Sequence, residues 1–433
     1  MIKLKKNYEI IRRTCIDCGT EFTIEPKGQR FIDRLGYDLP KRCNACRNKR
    51  SLERKAARDR QIKLQEEQER LERQKQWERD ELQIATLLEQ APFRIIEKPI
   101  IDKDALVIIG NGFDLAHGIP SSYYSFKKNV KGSVKAALEL YINCEDLWGD
   151  FENNLAYLDR EKVLWSMWEM KNDYGVLDEE GEDFSAADFF ASMEDGAWGI
   201  SAIINDLPKC FRKWINSLVL NGKPPIYDLP KNAKYLTFNY TETLESVYGI
   251  DDHQVNHIHG DRRDKKSKFV LGHGHDIDKV FDDWWNKNKD RKEFQPYRYG
   301  RKGRRFKNDN PVYLAYFLDD ERKGNWHSQT NYDYIENCIR IIEDYYEDSA
   351  KKTNEVIERN TVYFRGLKDI KNVVVIGHSL SEVDMPYFEV ITEELPENVE
   401  WTIGFHSLRD YKRIIEFCSE LGIDNKNVGI FRM

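Results

Sequence analysis

No apolar run in this chain approaches the roughly 18 residues that a membrane-crossing helix needs. The opening stretch, MIKLKKNYEIIRRTC, lacks the apolar centre of a secretory signal, so a cytoplasmic protein with no membrane partner is expected. Positive charge is not in surplus either. Lys and Arg number 68 against 75 Asp and Glu, for a formal net charge of −7. A net-acidic chain does not coat nucleic acid over its whole surface, although a local basic patch still binds it. No repeat of fixed period is visible, which excludes a solenoid. A disulfide framework is missing too, because Cys144, Cys210, Cys338 and Cys418 stand singly and read as reduced packing thiols.

What is present suffices for a folded core. The 433 residues allow two or three domains, and 40% of them are hydrophobic and 12% aromatic. Three zones follow one another: a small basic segment over 1–50, a charged helix over 51–92, and an α/β domain over 93–433. The stretch 47–91 contains neither Gly nor Pro. In it, Ala57, Leu64 and Leu71 recur every seven residues, while Gln61, Gln68 and Lys75 fill the other seam positions. A coiled coil needs both seam positions apolar, so a solvated, charge-paired spacer helix closed by Pro92 is expected, with a homo-oligomer as the alternative.

The first zone carries Cys15-x-x-Cys18 and, 24 residues later, Cys43-x-x-Cys46. Two knuckle turns present four thiolates to one tetrahedral ion, so a structural zinc on Cys15, Cys18, Cys43 and Cys46 is expected. Gly19 suits the tight turn. The stretch CIDCGTEF, then Phe31, then PKRCNACR, resembles a small zinc-ribbon family found as an N-terminal appendage.

In the third zone, short apolar runs lie at 105–109, 233–238, 269–271, 373–376 and 399–403, with helical patterns between them. Such runs imply a parallel, Rossmann-like sheet with helical insertions. Ligands then bind in an open cleft beyond the carboxyl ends of the strands. After the first run comes Gly110-Asn111-Gly112-Phe113-Asp114, a glycine turn that approaches a phosphate or ribose, although Leu115 stands where the dinucleotide fingerprint has its third glycine. Asp114 either caps the next helix or holds a ligand hydroxyl. The second run ends in Thr237-Phe238-Asn239-Tyr240-Thr241. Farther on come His257 and His259, which share a face if the segment is extended, and then His273 and His275. A metal on these four histidines is conceivable, but one catalytic histidine beside structural ones is the better reading. The run at 373–376 opens into Gly377-His378-Ser379, where Ser379 caps a helix or donates to a phosphate.

GNGFDLAHGIPSSY, LWGDFENNL, TFNYTETLE, VNHIHG, VLGHG and VVVIGHSLSEVDMPYF together resemble the bacterial AbiH family of phage abortive-infection proteins. That resemblance implies antiviral defence against an unknown phage trigger. More distantly, the order of Gly110, Gly112, Asn239, His259, Gly377 and Ser379 is similar to that of sirtuin-like NAD hydrolases of bacterial defence. Asn111 and Thr241 depart from that pattern, and the sirtuin-type zinc insert is absent from the α/β region. The resemblance implies Asn239 and His259 as catalytic residues. It implies NAD as substrate, faced by Gly110, Asn111, Gly112, Asp114, Gly377, His378 and Ser379. Asn239 would orient a water, and neutral His259 would accept its proton.

Two charged segments remain. Residues 178–196 hold eight acids and no base, and residues 287–307 hold ten Lys/Arg and two acids with Phe294, Tyr297, Tyr299 and Phe306 interleaved. The basic segment reads as a solvated insertion paired with the acidic one, or as a site for single-stranded nucleic acid. An NAD hydrolase is thus the first expectation. A nucleic-acid-directed effector, a nuclease or an RNA- or DNA-binding toxin, is the alternative, and a non-enzymatic nucleotide sensor is the third.

Overall fold

The chain divides into two units, Met1–Ala85 and Thr86–Met433, in a computed structural model that describes residues 8–34, 38–176, 184–300 and 303–433. In the first unit, β1 (Ile11–Thr14) and β2 (Glu21–Ile24) pair antiparallel in the register Thr14↔Glu21. The first CxxC fills the turn between them. A short helix, Pro26–Arg34, follows. The long helix runs from Asn44 to Leu88, so it takes in Cys46 and begins earlier than the composition suggests. It also ends before Pro92, in a turn at 89–90. Leu64 and Leu71 are 62% and 46% exposed, as a solvated spacer requires.

The second unit is built on a seven-stranded sheet. Its strands are β3 (Arg94–Ile95), β4 (Ala105–Ile109), β5 (Lys234–Thr237), β6 (Val255–His257), β9 (Asn372–Ile376), β10 (Glu400–Phe405) and β11 (Val428–Arg432). β7 (Tyr297–Tyr299) and β8 (Arg305–Lys307) form a separate hairpin. The sheet order is β3-β11-β10-β9-β4-β5-β6, and every pairing is parallel. β4 is buried at all five positions, which is what helices on both faces demand. From β4 the chain builds outward through β5 and β6. It then returns to the other side of β4 with β9 and builds outward again. The reversal point therefore lies between β4 and β9, where doubly wound sheets open their ligand crevice.

One expected strand is absent. Residues 269–271 add no strand to the sheet, and the link to the preceding segment is the Val270 N–H bonded to His259 O at 3.0 Å. The apolar run has another use: Phe269 packs on Tyr240, with ring centres 4.7 Å apart, and lies under the Arg212 guanidinium at 3.9 Å. β3 and β11 were not marked by the sequence pattern.

The insertions between β4 and β5 and between β6 and β9 share one helical core. Phe126, Phe151, Phe211, Trp214, Tyr334 and Tyr345 are buried in it. The Tyr345 hydroxyl donates to Leu155 O at 2.7 Å and ties the two insertions together. Of the acidic stretch, residues 178–183 lie outside the described residues, and the rest holds the helix Ala186–Gly196 capped by Ser185.

Candidate functional site

β4 and β9 are neighbours with Ile109 opposite Ile376, so the loops that follow them meet. The Gly112 N–H donates to Gly377 O at 2.7 Å, and the Gly110 N–H to Ile376 O at 3.1 Å. A Cβ on Gly110 would stand 2.4 Å from His378 Cα, and one on Gly377, at φ +69°, 2.1 Å from Phe113 N. These glycines are needed for backbone to touch backbone, and the amides of Gly110 and Gly112 are engaged within the protein. Asn111 and Ser379 are the exposed members of the two loops.

His378 is held by the next turn. The Leu380 N–H donates to His378 Nδ1 at 2.9 Å, which leaves Nε2 to carry the proton on a neutral ring. Leu380 sits at φ +53° and is 1% exposed. A left-handed leucine is a strained arrangement of the kind that clusters at functional sites. The Arg413 guanidinium holds it by donating to Leu380 O.

At the end of β5, the Phe238 N–H bonds Ile109 O at 2.9 Å, so the TFNYT segment continues beside β4. Its polar residues turn toward Asp114. The Thr241 hydroxyl donates to Asp114 Oδ2 at 2.5 Å and that of Thr243 to Oδ1 at 2.7 Å. Burial pushes the Asp114 carboxyl pKa up, against these bonds and the nearby Asn239 amide, which lower it. Asn239 is 6% exposed, and its amide nitrogen makes no hydrogen bond.

β6 stops at His257, so the two histidines of VNHIH do not share an environment. His257 Nε2 contacts Glu245 Oε1 at 2.7 Å, and its Nδ1 faces Asn239 O at 3.4 Å. Burial opposes protonation of this ring, but Glu245 and Asp261 outweigh it and raise the pKa. Glu245, His257 and Asp261 have ligand atoms close enough together for a metal. A cation already stands there, since Arg263 Nη2 lies 2.8 Å from Glu245 and 2.6 Å from Asp261.

His259 joins a different group. Its Nε2 faces Asp384 Oδ1 at 3.5 Å, and His378 Nε2 faces Asp384 Oδ2 at 3.4 Å. The Phe238 ring wedges between the two imidazoles, 4.8 and 4.3 Å from them centre to centre. Lys351 Nζ lies 2.7 Å from Asp384 and 2.7 Å from Glu152, whose other oxygen accepts from the Tyr123 hydroxyl. Burial alone would lower the Lys351 pKa, but the two carboxylates raise it well above the usual lysine value. Burial alone would raise the Asp384 pKa, but Lys351 and the two histidines hold it well below the carboxylate range. Burial and the Lys351 charge lower the His259 pKa, so its imidazole is neutral near pH 7. Its Nε2 is buried and makes no good hydrogen bond. The group thus has two carboxylates to one ammonium, beside the neutral His259 imidazole.

The expected open cleft is not seen at these residues. Asn239, His259, Lys351 and Asp384 are all 7% exposed or less, because the helical insertions bring Glu152 and Lys351 down onto the strand ends. A cavity of about 420 Å³ lies instead between Gly118, Trp214 and Lys223. The four-histidine metal cluster is not formed either. His273 lies edge-on to Tyr346 and His275 is tilted against Tyr157, and among the described residues no three-ligand cluster includes them. Glu152, Lys351 and Asp384 were missed in the sequence. Glu152 and Asp384 sit inside the quoted runs LWGDFENNL and SEVDMPYF, whereas Lys351 lies in a featureless polar stretch.

In the first unit, the sulfurs of Cys15, Cys18, Cys43 and Cys46 all lie within 4.8 Å of one another, with Cys18 and Cys43 at 3.8 Å. A tetrahedral ion with metal–sulfur bonds of about 2.3 Å sets its sulfurs about 3.8 Å apart. The donor set and spacing therefore fit such an ion. The Gly19 N–H donates to Cys15 O at 2.9 Å with Gly19 at φ +72°, the knuckle turn that the glycine permits.

The family model described as Bacteriophage abortive infection AbiH matches residues 106–405. These bounds run from β4 to β10 and enclose the whole Asp384 group. No curated protein and no solved structure matches the chain.

Proposed function

Because the chain belongs to the bacteriophage abortive infection AbiH family, we propose that it serves that role by hydrolysing NAD at the nicotinamide–ribose bond, using Asn239 and His259. The observation that carries this reading is the buried His259 imidazole, neutral near pH 7, with its Nε2 3.5 Å from the Asp384 carboxylate. Cleavage of this bond passes through an oxocarbenium-like ribosyl cation. Nicotinamide leaves with the bonding electrons, and a water adds to the ribose carbon. The surplus carboxylate of the Glu152–Lys351–Asp384 group favours the positive charge that develops. His259 takes the water's proton and becomes an imidazolium next to the Asp384 carboxylate. The Asn239 amide orients the water.

In this reading the dinucleotide lies across the loops after β4 and β9, where Asn111 and Ser379 are exposed. Gly110, Gly112, Asp114, Gly377 and His378 shape that floor. The helical insertions must lift for the substrate to reach His259. The four N-terminal cysteines would hold zinc, which supplies folding energy and no chemistry, since four sulfurs leave it no open position. Loss of NAD on incubation with the full chain, and its dependence on His259, tests the assignment. A nucleic-acid-directed effector is the second reading, and the basic hairpin favours it.

A further inference from the structure

The β7–β8 hairpin shares no residue with the Asp384 group, and its surface calls for a separate account. Residues 297–307 contain six Lys/Arg and no acid in a chain whose net charge is −7. The base of the hairpin is fixed. Asn308 is fully buried and donates to Glu293 O at 2.6 Å and Gln295 O at 2.9 Å. Lys307 reaches buried Glu321 at 3.1 Å. Phe294 packs against Trp284 and Trp285.

Above that base Arg298 pairs with Asp309, and the other described polar and aromatic groups are left open. Tyr299 opposes Arg305, and Tyr297 opposes Lys307. Tyr299 is 73% exposed and Phe306 45%. Arg305 lies 3.6 Å over the Tyr297 ring and Arg304 5.1 Å over Phe306, and among the described residues neither makes an ion pair. Guanidinium groups stacked on rings keep their N–H edges free for phosphate oxygens. Neighbouring residues of a strand point to opposite faces, so Tyr299 and Arg305 lie on one face of the hairpin and Phe306 and Arg304 on the other, and each face offers an exposed ring beside a guanidinium to an unstacked base. A duplex hides its bases from such a platform, and an acidic peptide has nothing to stack on it.

We propose that this hairpin binds single-stranded nucleic acid, with Arg304 and Arg305 on phosphates and with Tyr299 and Phe306 under bases. This inference does not rest on the reaction assigned to the strand ends.

The test uses the full chain and fluorescent oligo(dT) and oligo(U), titrated by anisotropy over a range of salt, with a duplex and polyglutamate as competitors. Wild type should bind the single strands more tightly than the duplex. The double variant Arg304→Gln with Arg305→Gln should bind about tenfold or more weakly, and its log–log salt slope should be smaller by about 1.4, the value for two phosphate contacts on a single strand. Tyr299→Ala with Phe306→Ala should also lose about tenfold or more, from stacking. All four side chains are solvent-facing, so melting temperatures should stay within a few degrees and confirm that the variants fold. The proposal is overturned if wild type binds no single strand at low salt, or if the duplex binds equally well. It is also overturned if the aromatic variant keeps full affinity, or if polyglutamate displaces the oligonucleotides as well as they displace each other, for then the hairpin takes any polyanion or an acidic protein.

Discussion

Lys351 Nζ and Asp384 Oδ1 lie 2.7 Å apart, with the Lys351 side chain wholly closed to solvent. The two residues come from different layers, one from the helical insertions and the other from the loop after β9. Their pairing fastens the insertions over the strand ends. Removing one partner of a buried ion pair leaves the other charge stranded. Lys351→Met should therefore cost about 3–5 kcal/mol of stability, seen as a lower denaturant midpoint. Without the ammonium, Glu152 and Asp384 face each other and take up a proton more readily. The deficit should shrink as pH is lowered from 7 toward 5. A deficit that stays constant with pH would show that the charge is not its cause.

Three histidines give stability a pH dependence of known sign. Burial lowers the pKa of His273 to about 4, with His275 adding to the effect, and burial and Lys351 lower that of His259. An unfolded histidine titrates near pH 6.5. Below about pH 6.5 the unfolded chain therefore binds protons that these two folded rings do not, down to about pH 4 for His273, and their contribution to stability falls as pH falls. His257, with a raised pKa, acts in the opposite sense and loses its contribution as pH rises through its folded value. His273→Gln should make the acid-side decline shallower in denaturant titrations at pH 6.5, 5.5 and 4.5. An unchanged slope would remove His273 from the account.

The glycine contacts predict where substitution is not tolerated. Gly377→Ala would place a Cβ 2.1 Å from Phe113 N at φ +69°. Overpacking and backbone strain together should cost several kcal/mol, on the order of the 1–3 kcal/mol of each effect. Ser379→Ala, two residues on and exposed, should be nearly neutral in thermal melts. Equal melting temperatures for the two variants would refute the close loop contact.

Much of this was legible in the chain. The runs at 105–109 and 373–376 announced the central strands because continuous apolar, β-branched segments suit a sheet buried on both faces. Gly377 and His378 directly follow the run at 373–376 and Asn239 the run at 233–238, so these polar residues could be placed at one edge, and His259 lies in the histidine-rich segment after them. Phe269 to Leu271 misled, since a short apolar run that packs on helices looks the same as one that pairs in a sheet. Lys351 was invisible for a different reason. Its importance comes from being buried between Glu152 and Asp384, which lie 199 and 33 residues away. The same distance effect turned the expected open cleft into a covered site.

The cysteine cluster predicts one zinc per full chain by elemental analysis. Cys18→Ser with Cys43→Ser should lose that zinc while leaving the strands of the second unit intact. Zinc retained at full stoichiometry in the double variant would place the metal elsewhere.

Purified full-length protein incubated with NAD, with nicotinamide release followed over time, is the most direct measurement of the proposed reaction. Wild type should consume NAD. His259→Gln and Asn239→Ala should each slow release by about 100-fold or more, the scale of a lost general base or of a misplaced water. Because both residues are buried, melting curves must accompany the rates, and each variant should remain folded at the assay temperature. Wild type that leaves NAD intact even when drawn from phage-infected cells, or His259→Gln that releases nicotinamide at the wild-type rate, would contradict the assignment.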